Sequence, residues 1–418
     1  MDSPSKPRPL SLKQNVVWNG IGSLVYQGCQ WLITVLVVIL SSNYENSGIL
    51  AYAMTVGNMF SPVASFNART FQVSDVDDRF SQQNYIAFRF ITIVVALVFS
   101  MVYAAVVVQS PAIVVTIGIY LLFKSDEAFV TVLYGIDQRG YRMDYIGVSQ
   151  TIRGVLVLAV FSAALVFFDS LNLAFAGMTV LCLAVTLFYD VSHARRFERL
   201  RPSIDRAGVK DLVVMCLPAV LSTLFCGMVV AVTRQYFGNM FGSEQLGIYA
   251  AVATPSVIVQ LLAQYLYNPA LGPIAEHWAH GTRSGLMAFL LKLVGIMVAV
   301  TAVVVIALSL CGDYLLVLVF GQSIADYTFL FPPVLISTGL IALVWFSGDV
   351  LIVFRKTALA LVMNAVALVV ALATMVPLIG AFYMNGINFT VILANGVALV
   401  LAVVFIGVSV KRHFASGD

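Results

Sequence analysis

Charged side chains are scarce in this sequence. Of its 418 residues, 10% are Asp, Glu, Lys or Arg and 61% are apolar, whereas roughly a quarter of the residues in a soluble domain are charged. Water therefore cannot be the main solvent of the folded chain. This composition excludes a soluble globular protein and indicates one that lies in a membrane, and we expect no nucleic-acid partner.

The motifs of enzymes and metal sites are also missing. The five cysteines lie inside or at the edges of apolar segments and lack the spacing of a metal site or a disulfide framework. His277 and His280 are spaced like metal ligands, but no cysteine or second such pair lies near them, so we expect solvated loop histidines. There is no phosphate-binding glycine loop, and the loops predicted on the outer side are short. We therefore predict no catalytic residue, no metal and no cofactor, and a protein that is not an enzyme.

Long apolar runs are what the sequence has in abundance. Twelve segments are long enough to cross a hydrocarbon core of roughly 30 Å, and lipid, which offers no partner to an unpaired amide, requires them to be helical. They lie near residues 16–40, 47–65, 85–108, 111–135, 146–168, 171–190, 211–237, 247–270, 286–311, 327–354, 358–382 and 388–410. The first run exceeds the apolar core of a signal peptide, so we expect a retained span. The prediction is an all-α polytopic membrane protein with about twelve transmembrane helices.

The predicted spans form two sets of six. The connection at residues 193–211 carries six Arg and Lys residues, which we interpret as topogenic charge in preference to a contact with anionic lipid headgroups. We predict an N-terminal lobe of residues 1–205, with a short disordered basic tail, and a C-terminal lobe of residues 206–418. Since six spans return the chain to its starting side, and residues 48–52 resemble residues 247–251, the lobes are predicted to be related by a pseudo-two-fold axis along the membrane normal.

The distribution of positive charge predicts the orientation. If the amino terminus is cytoplasmic, 20 of the 23 Lys and Arg residues fall in cytoplasmic tails, loops and span mouths. The six loops on the other side carry acidic residues without Lys or Arg, as the positive-inside rule requires. Both termini are therefore predicted to be cytoplasmic. The three cations inside spans, Lys124, Arg153 and Arg234, need a separate explanation.

Three predicted spans carry a polar stripe along one helix face. The stripes are Asn15, Asn19, Ser23, Gln27, Gln30 and Thr34 in the first span, Thr55, Asn58, Ser61, Ser65 and Arg69 in the second, and Ser256, Gln260, Gln264 and Asn268 in the eighth. Pro62 lies beside the second stripe as a kink that frees backbone carbonyls. Polar side chains in bundles often join neighbouring helices by hydrogen bonds. We nevertheless favour one hydrated cavity shared by the three stripes.

A charged group in a membrane span must pair or face water. Lys124 and Glu127 are three residues apart and can meet on one helix face, which leaves Asp126 for a partner on another helix. A structural ion pair and a functional site are equally favoured here, with Lys124 as a substrate ligand and Asp126 and Glu127 as candidates for ion coupling. Arg234 lies near the external end of the seventh span, where the protein otherwise avoids cations, and this favours an anionic ligand. Arg153 fits either a lipid headgroup or such a ligand.

Four segments resemble bacterial lipopolysaccharide and oligosaccharide flippases of the multidrug, oligosaccharidyl-lipid and polysaccharide exporter superfamily. They are NVVWNGIGS at residues 15–23, RTFQVSDVDDRFSQQNYIAFRFIT at 69–92, YGIDQRGYRMDYIGVSQTIRG at 134–154 and TRQYFGNMFGSEQLGIYAA at 233–251. Together with the layout of two times six spans, the resemblance covers nearly the whole chain.

The resemblance implies two six-helix lobes around a central cavity lined by spans 1, 2, 7 and 8. Its implied substrate is a sugar unit on undecaprenyl diphosphate, moved by rocking between inward-open and outward-open states. By position, Arg234, Arg69 and Asp75 match residues of the family pattern, whereas Thr233 and Gln235 depart from it. Membrane lipids and other glycan-assembly proteins are the further partners that it suggests.

The sequence thus predicts a flippase that carries lipid-linked oligosaccharide to the outer leaflet of a bacterial inner membrane by alternating access. The predicted cavity residues are Arg234, Arg69, Lys124, Asn19, Gln27, Gln30, Asn58, Gln260, Gln264 and Asn268. One alternative is a cation-coupled multidrug exporter of the same superfamily, which prefers carboxylates and aromatic residues in its cavity. A membrane glycan polymerase or ligase is the other alternative, and it requires a large external loop that this sequence lacks.

Overall fold

The computed structural model describes residues 8–66, 68–74, 80–198, 200–203, 206–267 and 270–415. Within these ranges the regular structure is entirely helical, and no strand occurs. The predicted all-α class is therefore confirmed. The predicted basic tail falls largely outside the described residues, as do Asp75 and Asn268.

The chain divides into two compact units, residues 1–220 and 221–418. The helices that begin in the first unit are α1 (Leu12–Leu40), α2 (Glu45–Ser65), α3 (Ala68–Ser74), α4 (Gln82–Val107), α5 (Pro111–Arg139), α6 (Met143–Phe168), α7 (Leu171–Val185), α8 (Val191–Ala194) and α9 (Arg206–Phe241). A π-helical turn, Thr186–Asp190, joins α7 to α8. The boundary between the units lies inside α9, while the predicted lobe boundary at residues 205/206 directly precedes this helix and stays a prediction.

The second unit contains the rest of α9 and seven further helices. These are α10 (Ser243–Ala253), α11 (Val257–Tyr267), α12 (Leu271–His280), α13 (Arg283–Phe320), α14 (Phe331–Val353), α15 (Thr357–Phe382) and α16 (Met384–Ala415). Short 3₁₀ segments, Thr254–Ser256 and Gln322–Leu330, follow α10 and precede α14. Pro255 lies in the first of these segments, since it cannot donate the backbone hydrogen bond that a continuous α-helix requires.

Ten helices among the described residues are long and apolar enough to cross a membrane. They correspond to ten of the twelve predicted segments. The other two predicted segments also form helices: α2, which carries a polar stripe, and α5, which contains Lys124, Asp126 and Glu127. The protein is a multi-pass membrane protein, and the pseudo-two-fold axis stays a prediction.

Helix α1 packs closely on α6 through glycine. A Cβ atom at Gly22 would lie 2.4 Å from Gly147 Cα, so the two backbones touch where neither residue has a side chain. Hydrogen bonds flank this contact: Met143 N donates to Asn15 Oδ1 at 2.8 Å, and Ser23 Oγ donates to Gln150 Oε1 at 3.0 Å. Close backbone approach at small residues is a main source of helix association in lipid.

We expect Gly22→Ala to separate α1 from α6 and to destabilise the first unit by about 1–3 kcal/mol, since the added methyl group meets backbone that cannot rotate away. Gly20→Ala is the matched control, because a Cβ at Gly20 has no neighbour within 4 Å. Thermal denaturation of the two variants in detergent measures the difference. Equal stability of the two variants would contradict this account of the α1–α6 contact.

Candidate functional site

A buried cluster of charges joins three elements of the first unit. Arg153 on α6 donates from Nη1 to Asp126 Oδ2 on α5 at 2.6 Å and from Nη2 to Asp190 Oδ2 at 2.9 Å. Thr186 Oγ1 accepts from Arg153 Nη2 and donates to Asp126 Oδ1 at 2.6 Å. Side-chain exposure is 3% for Arg153 and 1% for each carboxylate. The cluster therefore places one guanidinium between two carboxylates, out of contact with solvent.

The π-helical turn contributes two members of the cluster. Thr186 and Asp190 are its first and last residues, and Val191 N closes it by donating to Thr186 O. Such turns are rare in proteins, and those that occur are often found at functional sites. Here the turn directs a hydroxyl and a carboxylate toward the same guanidinium.

Two further hydroxyls extend the cluster along α5 and α6. Ser149 Oγ accepts from Arg153 Nε at 3.3 Å and lies 2.8 Å from Tyr134 Oη. Both residues are buried. All the guanidinium nitrogens of Arg153 therefore have partners within the first unit, so neither a lipid headgroup nor an external ligand is needed to satisfy this cation.

Lys124 and Glu127 form the ion pair that their spacing predicts. Lys124 Nζ lies 2.5 Å from Glu127 Oε2, with side-chain exposures of 19% and 20%. The ammonium also lies 5.5 Å from the ring centroid of Tyr120 and 5.3 Å from that of Phe123. This pair is partly accessible, whereas Asp126, one residue away on the other face of α5, is buried with Arg153. The expectation that Asp126 finds its partner on another helix is confirmed.

Arg69 lies on α3 and packs against the end of α5. Its Nη2 donates to Gln138 Oε1 at 2.9 Å, and its Cζ lies 5.7 Å from the ring centroid of Tyr134. Close to it, the fully buried Arg89 donates from Nη1 to Ala64 O at 2.6 Å, and so satisfies a carbonyl at the C-terminal end of α2. The hydrogen-bond partner of Arg69, Gln138, is uncharged, so this contact does not neutralise the positive charge of Arg69.

Some residues of the polar stripes in the first unit form hydrogen bonds with other side chains or with backbone, and others are exposed. Asn15 and Ser23 join α1 to α6, as interhelical hydrogen bonding predicts, and Gln30 Nε2 donates to Tyr26 Oη at 3.0 Å within α1. Gln27 and Asn58 are exposed and Asn19 is half-buried. The favoured cavity, shared by all three stripes, stays a prediction.

The stripe of the eighth span continues through α10, the 3₁₀ segment and α11. Ser256 is buried and accepts from Thr338 Oγ1 on α14 at 3.2 Å. Gln260 and Gln264 are half-buried on α11. The amino-terminal end of this stripe is therefore used in helix packing within the second unit.

Arg234 lies on α9, in the part of this helix that belongs to the second unit. Its Cζ lies 5.5 Å from the ring centroid of Tyr249 on α10, and Tyr249 Oη donates to Asn388 Oδ1 on α16 at 2.7 Å. Its Nε is buried and finds no hydrogen-bond acceptor among the described residues. Because a buried donor without an acceptor is costly, this nitrogen is suited to an acceptor that the described residues do not supply.

Beyond the spans, the turn between α5 and α6 carries a further ion pair. Arg142 donates from Nε and Nη2 to the two oxygens of Asp144, at 2.9 and 2.8 Å. Hydrogen bonding to this carboxylate raises the pKa of Arg142 above its usual value. The guanidinium also lies 4.1 Å from the ring centroid of Tyr145, so this cation is fixed in place at the start of α6.

Comparisons with known proteins give two kinds of match, although no family model matches the chain. The capsular polysaccharide biosynthesis protein CapF of Staphylococcus aureus is 23% identical over 376 residues, which cover 89% of this chain and 93% of CapF. An inward-facing multidrug resistance MATE family transporter of the MOP superfamily has a TM-score of 0.67 at 12% identity, covering 93% of this chain and 96% of that one. The eukaryotic MATE transporter AtDTX14 has a TM-score of 0.64 at 12% identity, covering 97% and 98% of the two chains.

The chain has the fold of the MOP superfamily. This is the multidrug, oligosaccharidyl-lipid and polysaccharide exporter superfamily that the sequence resembles, so the resemblance is confirmed. Within this MOP fold, the structure brings the predicted Asp126 together with Asp190 and Thr186, which sequence reasoning missed. The sequence gives little indication of the role of Asp190. This residue ends a predicted span, where a carboxylate is expected to lie in water at the membrane boundary.

Proposed function

We propose that this protein is a flippase that moves a sugar unit carried on undecaprenyl diphosphate from the cytoplasmic to the outer leaflet. A hydrophilic cavity with alternating access would let the sugar headgroup cross while the polyprenyl tail stays in lipid. This route avoids the transfer of many hydroxyl groups into hydrocarbon, where each unpaired polar group costs several kcal/mol. The proposed location is a bacterial inner membrane, with both termini in the cytoplasm.

The observation that carries the proposal is the unsatisfied donor of Arg234. A guanidinium binds phosphate through a planar fork of donors, and its Nε and one Nη form one side of that fork. In this chain the Nε is buried without an acceptor in the described part, and the ring of Tyr249 lies beside the guanidinium. A diphosphate would supply the missing acceptor. Arg69 and Lys124 stay predictions as further diphosphate ligands.

The relatives support a role in glycan assembly and leave a second candidate open. CapF is a capsular polysaccharide biosynthesis protein, whereas the two structural neighbours are MATE transporters, one of them a multidrug resistance transporter. The partly exposed Glu127 pairs with Lys124, whose ammonium lies near the rings of Tyr120 and Phe123, and this favours a cation-coupled multidrug exporter as the second candidate. Aromatic faces that accept an ammonium group can also accept an organic cation.

Purified protein in proteoliposomes separates the two candidates. We expect a fluorescent sugar on undecaprenyl diphosphate to become accessible to a membrane-impermeant quencher at least about tenfold faster than in protein-free vesicles, since diffusion of the polar headgroup through lipid is very slow. We expect no accumulation of a cationic dye such as ethidium. Dye transport without glycan movement would support the exporter and overturn the flippase.

A further inference from the structure

We propose that Tyr249 and Asn388 are positioning residues, which hold the Arg234 guanidinium in place for the diphosphate. The ligand in this inference rests on the proposed function, whereas the contacts do not. Arg234 is half-buried on α9, and none of the ion pairs in the described part of the chain includes it. A guanidinium on a membrane-spanning helix needs polar partners when no carboxylate pairs with it. Tyr249 and Asn388 provide a chain of such partners.

The turn between α9 and α10 places Arg234 opposite Tyr249. Gly242 joins the two helices with a φ of 93°, a left-handed conformation that favours glycine. Arg234 lies eight residues before Gly242, and Tyr249 lies seven residues after it. At the rise of an α-helix, the two residues are therefore about 12 Å and about 10 Å from the turn. Their similar distance from the turn explains why Arg234 Cζ lies 5.5 Å from the ring centroid of Tyr249.

The Tyr249 hydroxyl connects Arg234 to α16. It interacts with the guanidinium, and it donates to Asn388 Oδ1 at 2.7 Å. Asn388 Nδ2 then donates to Asn385 Oδ1 at 3.1 Å. Since the arginine side chain has donors and no acceptor, the hydroxyl oxygen accepts from Arg234 and its proton goes to Asn388. Every donor therefore points away from the cation, and each hydrogen bond polarises the next one in the same direction.

Burial of this chain of side chains restrains the guanidinium. Tyr249 is 3% exposed and Asn388 is fully buried, so packing fixes both of them. Arg234 Nε has no acceptor among the described residues, so the nitrogen that contacts the hydroxyl is a terminal one. The hydroxyl thus holds the guanidinium at one end and leaves Nε for the ligand. A guanidinium that is already fixed loses less conformational entropy when it binds a phosphate.

The kinetics of sugar movement in proteoliposomes, measured over a range of densities of lipid-linked sugar, test this role. Tyr249→Phe keeps the ring but removes the hydroxyl, so KM should rise about 3- to 10-fold with little change in kcat. Asn388→Ala should change KM in the same direction. In an Arg234→Ala background, Tyr249→Phe should cause no further loss of kcat/KM, because the hydroxyl acts through the guanidinium.

Tyr383→Phe is the matched control. Tyr383 directly precedes α16 and donates from Oη to Gln245 Oε1 on α10 at 3.1 Å. This variant therefore also removes a tyrosine hydroxyl that joins α10 to the beginning of α16. The hydrogen bond that it removes does not involve Arg234, so KM should stay at the wild-type value. A rise in KM in both tyrosine variants would assign the effect to helix packing and contradict the positioning role.

Reaction of Arg234 with phenylglyoxal, followed by peptide mass spectrometry in lipid nanodiscs, tests the contacts without any substrate. In Tyr249→Phe no hydroxyl holds the guanidinium, so Arg234 should react at least about threefold faster than in the wild type. In Tyr383→Phe it should react at the wild-type rate. Thermal denaturation of each variant confirms that the protein compared is folded.

Two results would overturn the proposal: equal reactivity of Arg234 in the wild type and in folded Tyr249→Phe, or additive effects of Tyr249→Phe and Arg234→Ala on kcat/KM. If Tyr249→Phe raises the reactivity but Arg234→Ala moves the sugar at the wild-type rate, the diphosphate role fails and the restraint of Arg234 stands. If Arg234→Ala abolishes movement while Tyr249→Phe changes neither KM nor reactivity, the diphosphate role stands and the positioning role fails.

Discussion

Arg234→Ala should abolish surface display of the glycan while the protein remains in the membrane. The substitution removes a guanidinium whose Nε has no acceptor among the described residues, together with its contact to Tyr249. A hydrogen bond to a charged group contributes about 1.5–3 kcal/mol, which corresponds to roughly a 10- to 150-fold loss of affinity for the diphosphate. Flow cytometry with a glycan-specific antibody, together with an immunoblot of membranes, measures both outcomes.

Two further variants test whether the effect of Arg234→Ala depends on the geometry and the position of this guanidinium. Arg234→Lys keeps the charge but loses the planar fork, so it should retain a small part of the display. Arg283→Ala removes an exposed arginine at the start of α13 and should leave display unchanged. Normal display by Arg234→Ala at a normal protein level would refute a role of this residue in binding the diphosphate.

Arg153→Met should unfold much of the population at the growth temperature. The change leaves Asp126 and Asp190 buried without the cation that both contact. Removing one partner of a buried ion pair costs about 3–5 kcal/mol, because the remaining charge is uncompensated. Thermal denaturation in detergent, followed by size-exclusion chromatography of the remaining soluble protein, measures this loss of stability.

The control for Arg153 is an ion pair of the same chemistry in a more exposed place. Arg142 and Asp144 have side-chain exposures of 17% and 18%, so Arg142→Met should cost much less, on the order of 1 kcal/mol. Adding Asp126→Asn and Asp190→Asn to Arg153→Met should restore part of the lost stability. A single Arg153→Met variant as stable as Arg142→Met would contradict the structural role of the cluster.

The helices of this protein are largely predictable from sequence, and the reason is physical. Lipid forces each long apolar run to satisfy its own backbone, so length and hydropathy suffice to place a span. The two helices that are less apolar than the other spans are α2, which has a polar stripe, and α5, which has three charges near its middle. The loop charges supplied the missing information, because an omitted span would have broken the positive-inside alternation.

The candidate site was only partly predictable. The spacing of Lys124 and Glu127 is local, so helix geometry alone predicts their contact. The partner of Asp126 is 27 residues away on α6, and the second carboxylate, Asp190, is 37 residues beyond Arg153. Such contacts depend on which helices pack together. The π-helical turn that positions Asp190 breaks the regular periodicity on which helix-face arguments rest.

Helix α13 also fixes a depth scale for the second unit. Its 38 residues span about 57 Å, nearly twice a hydrocarbon core of roughly 30 Å. Lys292 and Asp313 are both exposed on it and lie about 32 Å apart along the helix axis. Since neither charge is stable against acyl chains, they mark the two headgroup planes. The first two turns and the last two turns of α13 therefore extend past the bilayer interior. Bilayers of different hydrocarbon thickness should change mainly the tilt of this helix.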